Sequence, residues 1–319
     1  MGVTASAIGT SLPEFGSALV ASLQGEPELG VGIVVGANIW NVLGILGLTS
    51  LIAGFIKSDE ISVNRDGFMA FIAGSIFFVF IIYGYFFSDK TISFIASFVM
   101  ILTYIYYLKI LIKNEKNPNS NRTNNDLIKS ENKTPIEYDE ELKTNNLHIN
   151  NENVSKKLNL RNLFFPIIYI IGLSIGCKAL VWSVENFGEY FNIPEIIMGL
   201  FVLSLFTTIP ELFVTLSSTI KGLHDFSLGT VFGSCVFNIL VGIGIPALFV
   251  KVPIEFESII FDLPVMIGII AFVLLLIKSN GLKLTRSWGI LFLLIYLIYA
   301  VVRITIIPTL GFHDTQFFS

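Results

Sequence analysis

Apolar runs close to the ~20 residues needed to cross a bilayer recur along the chain. They fall near 2–23, 29–54, 68–88, 91–112, 163–184, 195–220, 227–250, 259–278 and 286–308. The pattern predicts nine membrane-spanning helices, and so many uninterrupted runs without a water-facing side exclude a soluble helical domain. One polar stretch interrupts them. Residues 114–161 are rich in Asn, Lys, Glu and Ser, have little to bury, and read as a disordered linker. Between Glu115 and Arg161 there are eight acidic and eight basic residues, so the linker is not a polybasic membrane anchor. The expected organisation is a first membrane repeat at 1–113, a linker at 114–161 and a second membrane repeat at 162–319.

The two membrane halves repeat one another. At a constant offset of 197 residues, 10–47 and 207–244 align without a gap and share eleven identities. These are Thr10/Thr207, Pro13/Pro210, Glu14/Glu211, Leu19/Leu216, Gly25/Gly222, Gly32/Gly229, Val34/Val231, Gly36/Gly233, Asn41/Asn238, Leu43/Leu240 and Gly47/Gly244. Shared hydrophobicity would scatter matches over Leu, Ile and Val. Most of these fall instead on Gly, Pro, Thr, Asn and Glu, which punctuate helices or bind ligands. Charge then orients the halves. Lys57, Arg65, the linker, Lys221, Lys278, Lys283 and Arg286 fall on one side, whereas Glu26, Glu28, Glu185 and Glu189 fall on the other. The positive-inside bias makes the first side cytoplasmic. An odd number of crossings separates the two motifs, so the repeats have opposite topology, a plan that recurs in secondary transporters.

The shared positions carry a specific chemistry. A glutamate at membrane depth costs roughly 2.5 kcal/mol or more on insertion scales, so it needs a partner, a proton or a hydrated cavity. The proline before each glutamate lacks an N–H and clashes one turn back, which frees carbonyls around Gly9 and Thr10, and around Phe206 and Thr207. Such oxygens are tolerated in a membrane only where protein or a cavity satisfies them. Hydroxyls lie alongside: Thr10 and Ser11, Thr207 and Thr208. The helix after each motif has Gly-x-x-x-Gly spacing, read here as close helix packing, and then an amide, Asn41 or Asn238. Carboxylates, hydroxyls, amides and carbonyls are hard oxygen ligands suited to Ca²⁺ or Na⁺ rather than zinc or copper.

Composition agrees with this picture: 53% of the 319 residues are hydrophobic, 14% are charged, and the mean hydropathy is +0.75. Cys177 and Cys235 fall inside predicted spans without metal spacing and read as packing residues. No basic region precedes an apolar stretch at the start, so no cleavable signal is expected.

GTSLPE at 9–14 with GANIWNVLGILG at 36–47, and TTIPE at 207–211 with GSCVFNILVGIG at 233–244, resemble the two α-repeat signatures of the cation/Ca²⁺ exchanger superfamily, in particular its sodium/calcium exchanger branches. The resemblance implies an all-α polytopic membrane protein of two inverted repeats with Pro-broken motif helices. It implies that Glu14 and Glu211 are central cation ligands, with Thr10, Ser11, Thr207 and Thr208 adding oxygens and Asn41, Ser234 and Asn238 contributing from the following helices. The implied activity is alternating-access exchange of Na⁺ for Ca²⁺ in the plasma (inner) membrane. Both ions are transported ligands, and the implication extends to no cofactor, nucleic acid, obligate protein partner or enzymatic reaction.

There are departures. Phe206 replaces the glycine opening the second signature, Thr208 replaces its serine, and Ala37 stands where the other copy has Ser234. Asn238 is acidic in some family members, and an amide there argues against potassium co-transport. Family members typically have ten spans and nine are read here, so a helix upstream of Met1 is expected to complete the first repeat. Two alternatives stay open: a proton-coupled Ca²⁺ or other divalent exchanger, and a truncated homologue that does not transport. The proton-coupled branch typically has Gly-Asn, not Gly-Thr-Ser, ahead of its glutamate.

Overall fold

The computed structural model describes residues 2–58, 60, 63–116 and 160–308. The first half contains α1 (Gly2–Thr10), α2 (Leu12–Gln24), α3 (Pro27–Trp40), α4 (Leu46–Ala53), the strand β1 (Phe55–Lys57), α5 (Phe68–Phe87) and α6 (Phe94–Lys116). The second half contains α7 (Leu160–Phe191), α8 (Glu195–Ile197), α9 (Ser204–Thr207), α10 (Ile209–Ile220), α11 (His224–Phe237), α12 (Pro246–Phe249), α13 (Leu263–Ser279), the strand β2 (Lys283–Thr285) and α14 (Arg286–Val301). Wider π-helical segments join or extend several of these: Asn41–Ile45, Val63–Gly67, Met198–Leu203, Asn238–Ile243, Ser258–Asp262 and Val302–Ile306. The linker expected at 114–161 falls almost wholly outside the described residues. The chain divides into one unit of Met1–Leu111 and Ser174–Ser319 and a second of Ile112–Leu173. In the second, the described residues are the end of α6 and the start of α7.

The protein is an all-helical, multi-span membrane protein. Among the described residues seven helices are long and apolar enough to cross a bilayer, and the pair Glu195–Thr207 and Ile209–Ile220, bent by 45°, makes an eighth if counted as one span. The ninth expected span, 2–23, is not among them: that stretch is divided at Ser11 between α1 and α2. Two spans lie deep in the protein. The most apolar stretches of Pro27–Ala53 and His224–Phe249 are 94% and 89% buried, against 17% for Ile168–Phe191. Outward-facing Phe86, Phe87, Ile95, Tyr190 and Leu275 form the apolar surface that lipid requires.

Backbone ties at the two ends fix the direction of each half. At one end β1 pairs antiparallel with β2, placing Ile56 opposite Leu284. The Phe55 ring lies 5.3 Å from that of His224, so α10 finishes at this end. At the opposite end, Ile92 N–H donates to the Val252 carbonyl (3.0 Å) and Ile254 N–H to the Lys90 carbonyl (2.8 Å). The end of α2 lies here, where Glu26 interacts with Glu195 and Glu28 with Glu255. The two motif helices therefore run in opposite directions, as the charge pattern predicts.

Local chemistry terminates both in the same way. Gly25 caps α2 at φ 103°, and Gly222 follows α10 at φ 78°. These left-handed conformations are open to glycine at little cost, which explains one of the identities between the repeats. The Gly-x-x-x-Gly positions mark close crossings. A Cβ on Gly32 would lie 2.6 Å from the Ile196 carbonyl oxygen, and one on Gly36 2.2 Å from that of Leu200. Gly229 and Gly233 face Val3 and Ala7 of α1 in the same manner. Each deep helix thus packs on the leading half of the other repeat's motif helix.

Candidate cation site

Each motif helix breaks two residues before its proline, at Ser11 (φ −86°, ψ 4°) and Thr208 (φ −82°, ψ 4°). The backbone bonds around the breaks also match. Ser11 N–H donates to the Ala7 carbonyl and Phe15 N–H to that of Ser11; Thr208 N–H donates to Ser204 and Leu212 N–H to Thr208, all at 3.1–3.2 Å. The missing N–H of Pro13 and Pro210 withdraws the donor that Gly9 and Phe206 would otherwise have. The glutamate then falls in the first turn of α2 or α10, where the helix dipole favours negative charge.

Opposed direction brings the two carboxyls together. Glu14 and Glu211 are mutual electrostatic neighbours, with Thr207 beside Glu14 and Thr10 beside Glu211. Ser11 Oγ donates to Glu211 Oε1 at 2.9 Å, so a residue of one motif holds the carboxylate of the other. Ser234 Oγ donates to the Ala7 carbonyl of α1 at 3.4 Å. Asn41 and Asn238 each open a π-helical segment, a feature common at functional positions in helices.

The unpaired atoms define the site more sharply than the paired ones. Both oxygens of Glu14, Oε2 of Glu211 and both amide atoms of Asn41 and Asn238 are buried without a hydrogen-bond partner, and all four side chains are 0% exposed. A buried unsatisfied polar group costs about 1–3 kcal/mol and a charged one more. These four groups stand at matched positions and offer hard oxygen donors of the kind that suit a hard cation. Among the described residues no three His, Cys, Asp or Glu side chains gather closely enough to hold a metal. The carboxylates brought together here are those of Glu14 and Glu211, and the oxygens around them are amide, hydroxyl and carbonyl.

The other expected residues are placed less uniformly. Thr207, Thr208 and Ser234 are buried. The Thr208 hydroxyl donates to the Ser204 carbonyl (2.7 Å) and that of Thr10 to Ser6 (3.0 Å), so each keeps only its lone pairs for a cation. Thr10 is also partly exposed. Four further side chains, Ser17, Asn38, Thr49 and Thr215, are fully buried with an unpartnered oxygen. None is identical between the repeats, so the alignment that singled out the others passes over them. An amide three residues before Asn41 was the available signal for Asn38. Cys177 and Cys235 are both buried thiols without a disulfide, and Cys177 packs against Gly16 of α2. At the end where α2 finishes, a cavity of about 180 Å³ is lined by Glu26, Glu185, Glu189 and Glu195, giving that end an acidic mouth.

Comparison with known proteins agrees with this geometry. The family model described as sodium/calcium exchanger protein matches residues 1–113 and 162–305. The chain is 28% identical to sodium/calcium exchanger MaX1 of Methanosarcina acetivorans, over 95% of this chain and 87% of that protein. It is 27% identical to inner membrane protein YrbG of Escherichia coli, over 78% of this chain and 68% of that one. Its fold matches that of the sodium-calcium exchanger NCX_Mj with a TM-score of 0.58 at 22% identity, covering 96% of this chain and 86% of that one. Two inverted halves, each with a broken Pro-Glu helix and a deep Gly-x-x-x-Gly helix, together with a family match over both, make this chain a membrane transporter of the sodium/calcium exchanger family.

Proposed function

We propose that the protein exchanges Na⁺ for Ca²⁺ across a plasma (inner) membrane by alternating access. The observation that carries this reading is the pair of buried, incompletely partnered carboxylates, Glu14 and Glu211, delivered to one place by helices that run in opposite directions. Two glutamates supply two negative charges, which one Ca²⁺ or two Na⁺ neutralise; either load relieves the same desolvation cost. Thr10, Ser11, Thr207, Thr208, Asn41, Ser234 and Asn238 supply the additional oxygens that ions of this size take. Competition for one ligand set couples the two ions, because both loads cannot be bound at once. Ala37 offers no side-chain oxygen where Ser234 stands in the other half, so the two halves contribute unequally. The names of MaX1 and NCX_Mj, both sodium/calcium exchangers, support the choice of ions.

Uptake of radioactive Ca²⁺ into proteoliposomes loaded with Na⁺ tests the proposal. The expected result is uptake that requires the outward Na⁺ gradient and is unchanged by an imposed pH gradient. Uptake driven by the pH gradient alone would show the proton-coupled alternative. Uptake under neither gradient would show a homologue that does not transport.

A further inference from the structure

Each half also contains a second matched group, away from the cation site and with both carboxylate oxygens satisfied. In the first half, Asp66 lies in the π-helical segment that opens α5. Its Oδ1 accepts from Tyr107 OH (2.9 Å) and Arg65 Nε (2.8 Å), and its Oδ2 from Arg65 Nη2 (2.9 Å). In the second half, Asp262 lies in the π-helical segment that opens α13. Its Oδ1 accepts from Tyr299 OH (2.9 Å), and Arg303 Nε reaches both oxygens (3.1 and 3.0 Å). Arg303 in turn pairs with Glu257 (2.6 Å) and Glu255 (3.7 Å). Asp66, Asp262 and Arg303 are at most 1% exposed.

The aspartate and tyrosine are duplicated, 41 residues apart in one half and 37 in the other; the arginine is recruited from a different place each time. Asp66 follows β1 and so lies at the β1–β2 end, whereas Asp262 follows the Thr91–Pro253 bridge at the opposite end. Each tyrosine stands against the leading half of a motif helix. Tyr107 and Asp66 share a small cleft with Val3, Thr4 and Ala7 of α1. The Tyr299 ring stacks on Phe261 and meets Phe201, both at 5.6 Å between centroids, and Phe201 belongs to the segment leading into the second motif. A tyrosine tied to a buried, arginine-paired carboxylate in a low-dielectric interior is a stiff wall.

We propose that the two Asp–Tyr clasps are positioning elements. Each holds the leading half of one motif helix at its own end of the protein, and the two together set the balance between the two access states. The proposal rests on the alternating-access reading above.

Tyr107→Phe and Tyr299→Phe keep the rings and delete only the hydroxyls, so the test uses the full chain carrying each change. Hydrogen–deuterium exchange in lipid nanodiscs is read for residues 2–10 and 198–207, alongside Ca²⁺ binding and turnover. Tyr107→Phe is expected to speed exchange about tenfold in 2–10 and not in 198–207, and Tyr299→Phe to do the reverse, the size expected for one hydrogen bond to a charged group. Turnover changes in both variants, while equilibrium Ca²⁺ affinity stays within about twofold of the parent, because neither hydroxyl touches the ion site. Asp66→Asn, which keeps the shape and weakens the bond, reproduces the Tyr107→Phe pattern. Unaltered exchange in both segments, or a parallel loss of Ca²⁺ binding and turnover, overturns the clasp. A parent without Na⁺-dependent flux counts against the exchange reading alone, since the local exchange rates still decide the clasp.

Discussion

Glu14→Gln abolishes exchange, lowering Ca²⁺ transport by about 100-fold or more, and at the same time makes the ion-free protein more heat-stable. Both effects have one cause. The Glu14 carboxylate is fully buried and faces a second carboxylate, that of Glu211. Removing one member of a buried charge pair costs about 3–5 kcal/mol, and a cation bound here loses a comparable contribution from one of its two charged ligands. The empty protein loses an unpaired buried charge and a like-charge contact, so its melting temperature rises, by about 2–4 °C for each kcal/mol gained in a protein of this order of size. Glu211→Gln abolishes transport equally but stabilises less, because Ser11 already donates to Glu211 and loses a charged acceptor. Transport assays and thermal unfolding of both variants check this. Transport above a tenth of the parent rate in either variant would remove that glutamate from the site.

Gly36→Ala has the second large effect, on folding and on the site together. Its Cβ would lie 2.2 Å from the Leu200 carbonyl oxygen and 2.7 Å from the Leu200 Cα. These are backbone atoms and cannot rotate away, so the segment Met198–Leu203 must move off α3. Overpacking of this kind costs about 1–3 kcal/mol, and the displaced segment leads directly into Thr207 and Thr208. Unfolding of the purified protein at lower temperature, with weaker Ca²⁺ binding, is the expected outcome. Gly268→Ala is the control. Its Cβ would meet nothing within 4 Å, and replacing a mid-helix glycine gains up to about 1 kcal/mol. Equal melting temperatures for the two variants would contradict the close crossing.

Much of this architecture is legible in the sequence, because its causes are local or repeated. Bilayer length sets the apolar runs, loop charges set direction, and residues identical at the fixed offset, such as Pro13/Pro210 and Gly25/Gly222, mark the helix breaks and ends. Residues whose partners are distant in sequence are not legible. Asp66 reads as a loop charge beside Arg65, and only the fold brings Tyr107 onto it. Arg303 sits near the end of an apolar run, where a snorkelling side chain is the ordinary reading, yet it is buried among Glu255, Glu257 and Asp262. The π-helical segments Asn41–Ile45 and Asn238–Ile243 leave no trace in hydropathy, since a one-residue widening of a turn in an almost wholly buried helix exposes no new face. The β1–β2 pair is too short, at three residues a strand, to show alternation. Ser17 and Thr215 escape because burial without a hydrogen-bond partner is not something a sequence records.

In the proposed mechanism two inverted halves complete one cation site, with Glu14 and Glu211 as joint ligands for competing ions. Equilibrium binding of radioactive Ca²⁺ to the purified protein, titrated with Na⁺, tests this most directly. The expected result is saturable Ca²⁺ binding that Na⁺ displaces, lost in Glu14→Gln and in Glu211→Gln alike. Ca²⁺ binding that survives either substitution at the parent affinity, or that Na⁺ leaves untouched, would contradict it.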